Sequence, residues 1–140
     1  MPLRERLIAE EGWRNETYAD QYGNHTWGVG HLDRASPLGE YHTNAEINAQ
    51  LNTDIVRTKA QVVHAIPWVL NLSPIRQDVI YDMAFNMGVG KLMGFKQFLA
   101  AAQAGDIDTA VTQMLDSKWA TVDVPNRAQN LARIFKADAE

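Results

Sequence analysis

The stretch from Ala9 to Leu32, AEEGWRNETYADQYGNHTWGVGHL, decides the fold. It starts at the end of a helix and changes character at Gly12. Just ahead of it, Leu3, Leu7 and Ile8 share a helical face, and Gly12 is a good residue to stop on. A first helix is therefore expected from Leu3 to Glu11. From Trp13 to Leu32, Tyr18, Tyr22, Trp27 and Val29 favour extended chain. Gly23-Asn24, Gly28 and Gly30 break helices. The expectation is a small antiparallel sheet with a turn around Gln21 to Asn24.

Working outward, Ser36-Pro37-Leu38-Gly39 reads as loop, and helix dominates after it. Thr43 with Glu46 makes a capping box that opens a long helix to about His64, and Pro67 ends it. Ser73-Pro74 is a cap followed by proline in the first turn. Ile75, Val79, Ile80 and Met83 then form a buried stripe up to Met87-Gly88. A further helix is expected from about Lys91 to Gln103, ended by Gly105. Asp106 or Asp108 starts the next, through Met114 and Leu115. The last begins at Pro125, with Ala128, Leu131, Ala132 and Phe135 on one face. The fold class is α+β and mostly helical. The pattern gives a small sheet lobe over about 12–42, a linking helix over about 43–65, and a helical lobe over 66–140 joined by helix 1–11.

Composition sets the outer limits. The chain has 140 residues, 46% of them hydrophobic, which suits one domain with a real core. With no cysteine, a disulfide framework and a thiolate metal site are both excluded. A net charge of −4 speaks against sequence-independent binding of nucleic acid or acidic membrane. The first ten residues carry Arg4, Glu5, Arg6 and Glu10, where a signal peptide needs an apolar run of about seven or more. The expectation is a protein soluble when made, with no stable membrane insertion.

Few residue groups are left to carry chemistry. Ser36, Ser73 and Ser117 lack a nucleophile-elbow pattern, and Ser73 is better explained as a helix cap. Gly28-Val-Gly30 and Gly88-Val-Gly90 lack the lysine and hydroxyl of a P-loop and the third glycine of a dinucleotide loop. His25, His31, His42 and His64 lack the close pairing of a zinc-binding helix. No metal or cofactor is expected. Carboxylates remain. Glu11 ends the first helix, Asp20 lies at the first strand's end, and Thr26 follows past the turn. A returning hairpin can bring Asp20 and Thr26 together, with Glu11 facing them from the helix end. Glycoside hydrolysis needs such parts. One carboxylic acid protonates the leaving oxygen, a second carboxylate activates water or attacks the sugar, and a hydroxyl can hold that water.

The run Ala9-Glu-Glu-Gly-Trp-Arg14, then Tyr18-Ala-Asp20, then Gly23 to Leu32, resembles the phage-type lysozymes, also called endolysins or muramidases. Their signature is a Glu, eight residues, an Asp, five residues and a Thr, then Gly-x-Gly-His. Glu11, Asp20, Thr26 and Gly28 to His31 match it. The likeness continues at Phe85-Asn-Met-Gly88, Gly94-Phe95, Lys118-Trp119 and Pro125-Asn-Arg-Ala128. It implies a bilobal lysozyme-like fold. It also implies hydrolysis of the β-1,4 bond between N-acetylmuramic acid and N-acetylglucosamine in peptidoglycan, with inversion. By matching positions, Glu11 would be the general acid, Asp20 the second carboxylate, and Thr26 would place the water. Leu32 and Phe85 match positions that line the sugar site. Arg127 matches an arginine that pairs with the acid, and Asp54 matches a partner of His31, giving that histidine a structural role.

Some features depart from the family. The segment between sheet and long helix is short, so the small lobe is trimmed. Phe98 and Gln113 stand where a smaller hydroxyl and an amide side chain occur elsewhere, which bears on specificity for the peptide-bearing sugar. An acidic chain gains little long-range attraction to an anionic wall. The resemblance implies a monomer acting on bacterial peptidoglycan, held in the host cytoplasm until a holin-type partner opens the membrane, or else carried on a virion. A lytic transglycosylase and a non-catalytic wall-binding module are the rival readings.

Overall fold

The computed structural model describes all 140 residues. In chain order the elements are α1 (Leu3–Glu11), β1 (Arg14–Ala19), β2 (His25–Gly28), β3 (His31–Leu32) and α2 (Asn44–Ala65). They continue with α3 (Pro74–Met87), α4 (Val89–Leu92), α5 (Lys96–Ala104), α6 (Ile107–Leu115) and α7 (Pro125–Ala137). A 3-10 turn covers Pro67–Asn71, and a single π-helical turn covers Trp119–Asp123. The protein is thus mostly helical with one small antiparallel sheet, a lysozyme-like α+β fold. No helix is long and apolar enough to cross a membrane. The chain divides into two compact units, Met1–Arg57 and Thr58–Glu140.

In the first unit, α1 ends where Gly12 takes a positive φ and donates its N–H back to the Ile8 carbonyl. That residue turns the chain out of the helix and into β1. The sheet order is β1-β2-β3, both pairings antiparallel. Tyr18 faces Thr26 across the first pairing, and Thr26 faces Leu32 across the second. A register shift between Arg14 and Tyr18 marks an irregularity in β1. The free side of β1 is closed by the chain after β3: Thr17 N–H donates to the Glu40 carbonyl, and His42 N–H to that of Asn15. Trp27, Val29, Leu3, Leu7, Ile47 and Leu51 are buried in this unit. The expected capping box opens α2. Glu46 N–H donates to Thr43 Oγ1 at 3.1 Å, and the Glu46 carboxylate receives Thr43 N–H at 3.4 Å. Arg4 of α1 reaches Asn48 of α2.

The second unit is built from amphipathic helices. Ser73 caps α3 by accepting from Arg76 N–H, with Pro74 in the first turn. Val79, Ile80 and Met83 are fully buried, whereas Ile75, expected in the same stripe, lies in the first turn of α3 and is only half-buried. α7 buries Ala128, Leu131, Ala132 and Phe135 as expected. Each large apolar side chain buried here contributes roughly 1.5–3 kcal/mol before entropy. Asp106 caps α6, and Gly105 ends α5 in the left-handed conformation.

The continuous helix expected from Lys91 to Gln103 is two helices. Gly94 N–H bonds to the Lys91 carbonyl and Phe95 N–H to that of Leu92, three residues back in each case. The chain tightens there, and Phe95 leaves helical geometry at φ −80 and ψ 55. Its ring meets the buried Trp119 edge-on, 6.1 Å between centroids. Glycine supplies little helix propensity, so this anchoring of Phe95 wins.

Candidate active site

Glu11 is set by the end of α1 and by one glycine. Gly30 sits at φ +63, and a Cβ built on it would stand 2.5 Å from Glu11 Oε2 and 3.3 Å from Glu11 Cβ. The acid's side chain therefore lies directly over the Gly30 backbone. A left-handed φ and the absence of a side chain are both needed there. This is the physical content of the Gly28 to Gly30 pair: it brings the β2–β3 turn under the acid.

Asp20 sits one residue past β1, at the hairpin turn. Its Oδ1 accepts the backbone N–H groups of Tyr22 at 2.8 Å and Asn24 at 2.9 Å. These bonds hold the carboxyl below its usual range, the Asn24 N–H being the main cause, against a smaller opposing effect of desolvation. Asp20 is thus built to stay ionised. It is also held in one place by the backbone of its own turn.

Thr26 is nearly buried on β2. Its hydroxyl donates to the Asn24 carbonyl at 3.1 Å. With that hydrogen engaged, Oγ1 presents lone pairs, which suits it to accept a hydrogen bond from water. Leu32, its cross-strand neighbour, is 48% exposed and free to meet a ligand.

Tyr18 links these groups. It faces Thr26 in register, so Tyr18, Thr26 and Leu32 form one row across three strands on one face. Burial pushes its phenol above the ordinary tyrosine range. The nearby Arg14 charge opposes this, and the charges of Glu11 and Asp20 both add to it. The Arg14 guanidinium lies over the ring, 4.1 Å from its centroid. Tyr18 thus stands within the field of both carboxylates. The sequence places Tyr18 as a strand former within the matching run and gives it no role in the site. Counting across the Gln21–Asn24 turn would have paired it with Thr26.

The expected partner of His31 is present. His31 Nδ1 lies 2.8 Å from Asp54 Oδ2, and Gln50 holds the other oxygen at 2.8 Å. Trp27 points to the opposite face from Thr26. Its indole N–H donates to Asp33 at 3.1 Å, which is the main cause holding that carboxyl below its usual range. Trp13, half-buried, donates to Asn44 at 3.1 Å.

Phe85 and Arg127 belong to the second unit. Phe85 is half-buried on α3. The Arg127 guanidinium is held by Asp82, with Nε and Nη2 each 2.9 Å from Oδ1. Asp82 is fully buried and Arg127 nearly so. Trp119 is buried and donates to Asn86 at 2.7 Å, so it serves packing. Phe98 is buried against Phe135, 5.6 Å between centroids. With Gln113 it borders a cavity of about 570 Å³ within this unit.

A mostly helical α+β fold with one small three-stranded antiparallel sheet is consistent with a lysozyme-like protein. Residues 9–133 match the phage lysozyme family, and the chain belongs to that family. It is 29% identical over 143 residues to the pre-baseplate central spike protein Gp5 of Enterobacteria phage T4, covering 85% of this chain and 25% of that protein. It is 24% identical over 159 residues to probable T4-type lysozyme 2 of Dictyostelium discoideum, covering 96% of this chain and 93% of that one. Probable T4-type lysozyme 1 of the same organism is 26% identical over 161 residues, with the same coverage. The chain spans about a quarter of the length of the spike protein it matches.

Proposed function

We propose that this protein is a lysozyme that hydrolyses the β-1,4 bond between N-acetylmuramic acid and N-acetylglucosamine in bacterial peptidoglycan. Family membership supports a lysozyme-like glycoside hydrolase. The observation that carries the finer reading is the pair of carboxylates around Tyr18, one laid over Gly30 and one fixed ionised by its turn. In this reading Glu11 protonates the leaving glycosidic oxygen. Asp20 is the second carboxylate, and Thr26 accepts a hydrogen bond from the water that attacks the sugar carbon, with inversion. Leu32 lines the sugar site. By the resemblance Phe85 is assigned a sugar-binding role and Arg127 a supporting one, and the His31–Asp54 pair supports the sheet.

A turbidity assay on purified peptidoglycan tests this. Wild type should clear it, and Glu11→Gln and Asp20→Ala should each abolish clearing. Mass spectrometry of the products should find reducing ends with water added. Ends lighter by one water would establish a transglycosylase, and no clearing by wild type would leave a wall-binding module. Proton NMR of the fresh product anomer reads the inversion.

The biological setting we propose is lysis of a bacterial cell by a phage. The protein acts as a monomer and waits in the host cytoplasm for a holin-type release. Similarity to part of a phage spike protein favours a second setting, in which the module is carried on a virion.

A further inference from the structure

The reverse face of the sheet carries a polar cluster that the proposed chemistry does not use. His42 is buried there, its ring flat on Trp27, with centroids 3.8 Å apart and planes 3° apart. Its Nε2 lies 3.0 Å from Thr17 Oγ1 and 3.4 Å from Ser36 Oγ. Thr17 Oγ1 and Ser36 Oγ are 2.6 Å apart, and Ser36 donates to Glu40 Oε2 at 2.6 Å. Two carboxylates face the ring: Glu46 Oε2 lies 3.6 Å from Nδ1, and Glu40 Oε2 lies 3.8 Å from Nε2. Thr17 and Ser36 are as buried as the histidine.

Counting hydrogens fixes the direction of this chain. An ionised carboxylate only accepts, so the single hydroxyl hydrogen of Ser36 goes to Glu40. Ser36 Oγ must then accept from Thr17, which uses the Thr17 hydrogen. Thr17 has none left to offer, so it accepts from His42 Nε2–H. The hydrogen bonds run one way, from His42 through Thr17 and Ser36 to Glu40. They require a proton on Nε2, whether the ring is neutral or charged. In that arrangement the two buried hydroxyls and Nε2 each have a partner.

The cluster has a particular place in the fold. Thr17 immediately precedes Tyr18, and Trp27 immediately follows Thr26. His42 therefore holds β1 through a hydrogen bond and β2 through a stacked ring, directly behind the Tyr18–Thr26 pair. We propose that His42 is a positioning residue for the Tyr18–Thr26 pair, kept in the Nε2–H form by the hydroxyl chain that ends on Glu40. This rests on the hydrolase reading above. A residue that acts by placement changes turnover more than substrate binding, because a small displacement of reacting groups costs rate steeply.

Two substitutions divide the clamp. His42→Phe keeps a flat ring on Trp27 and removes the donor. His42→Gln keeps an N–H near the position of Nε2 and removes the stack. Each folded variant should lower kcat by about 10-fold or more on a defined sugar-chain fragment, with KM little changed. In ¹⁵N NMR of wild type, His42 should carry its proton on Nε2 at neutral pH. Glu40→Ala, at a half-exposed position, should abolish that preference while the stack remains. A neutral ring protonated on Nδ1 in wild type would overturn the proposal. So would unchanged kcat in folded His42→Phe, or a loss that only tracks the unfolded fraction. If neither variant folds, the wild-type and Glu40→Ala spectra decide. An inactive wild type would defeat the hydrolase reading, whereas an active wild type beside a fully active His42→Phe would defeat this inference alone.

Discussion

Glu11 lies against Gly30 so closely that a methyl group on Gly30 would stand 2.5 Å from the carboxylate oxygen. The obstacle is the far end of a flexible side chain, so Gly30→Ala should move the acid before it breaks the fold. A left-handed φ adds a cost of about 1–2 kcal/mol for alanine. The variant should fold with that modest loss in urea denaturation, yet lose wall-clearing activity by about 100-fold. Activity falling only in step with stability would mean that the position of Glu11 is not what the glycine protects.

Asp20 should impose an acid limit on stability. Its folded value lies below its unfolded one, because the turn's N–H groups hold the charged form. The stabilisation is therefore present above the ordinary aspartate range. It is lost as pH falls through the lowered folded value. Urea denaturation at about pH 2.5 and about pH 6.5 should show a smaller difference for Asp20→Ala than for wild type. An equal difference in both proteins would count against the turn bonds as the cause.

Tyr18 should act at the other end of the scale. Burial raises its phenol above the ordinary tyrosine value, with Glu11 and Asp20 adding to the effect. The neutral form is favoured by folding, so its contribution is full below the unfolded value and lost as pH climbs through the folded one. Tyr18→Phe should remove one late-titrating phenol from the ultraviolet titration. Replacing Glu11 by Gln should bring that phenol's titration back towards the ordinary range.

His31 and Asp54 should behave as a coupled pair. Both are mostly buried and 2.8 Å apart. His31→Asn and Asp54→Asn should each cost about 1.5–3 kcal/mol by chemical denaturation. The double variant should cost clearly less than the sum of the two, since one shared interaction is lost. Full additivity would show that the two side chains act separately.

Local signals in the sequence are the ones that translated into structure. Leu3–Glu11 has the bounds that Gly12 implies, and the Thr43–Glu46 box and the Ser73-Pro74 start open their helices as drawn. Each depends on neighbours a few residues apart. The break at Gly94 was not legible, because a lone glycine in a helical pattern is ordinarily tolerated. Its cause is the ring of Trp119, far along the chain. The turns at Pro67–Asn71 and Trp119–Asp123 have no periodic signature. In the candidate site, Glu11, Asp20 and Thr26 stood out by residue type and spacing. Tyr18 was readable only through register. The Thr17, Ser36 and His42 cluster joins three common polar residues from separate segments, so nothing local announces it.

The segment Gly39–His42, bonded along the outer side of β1, has an effect on how molecules meet each other. At the opposite border stands β3, only two residues long. Neither border offers a run of unsatisfied peptide groups onto which a neighbouring molecule could zip. A sheet finished in this way gives a second molecule no strand to extend.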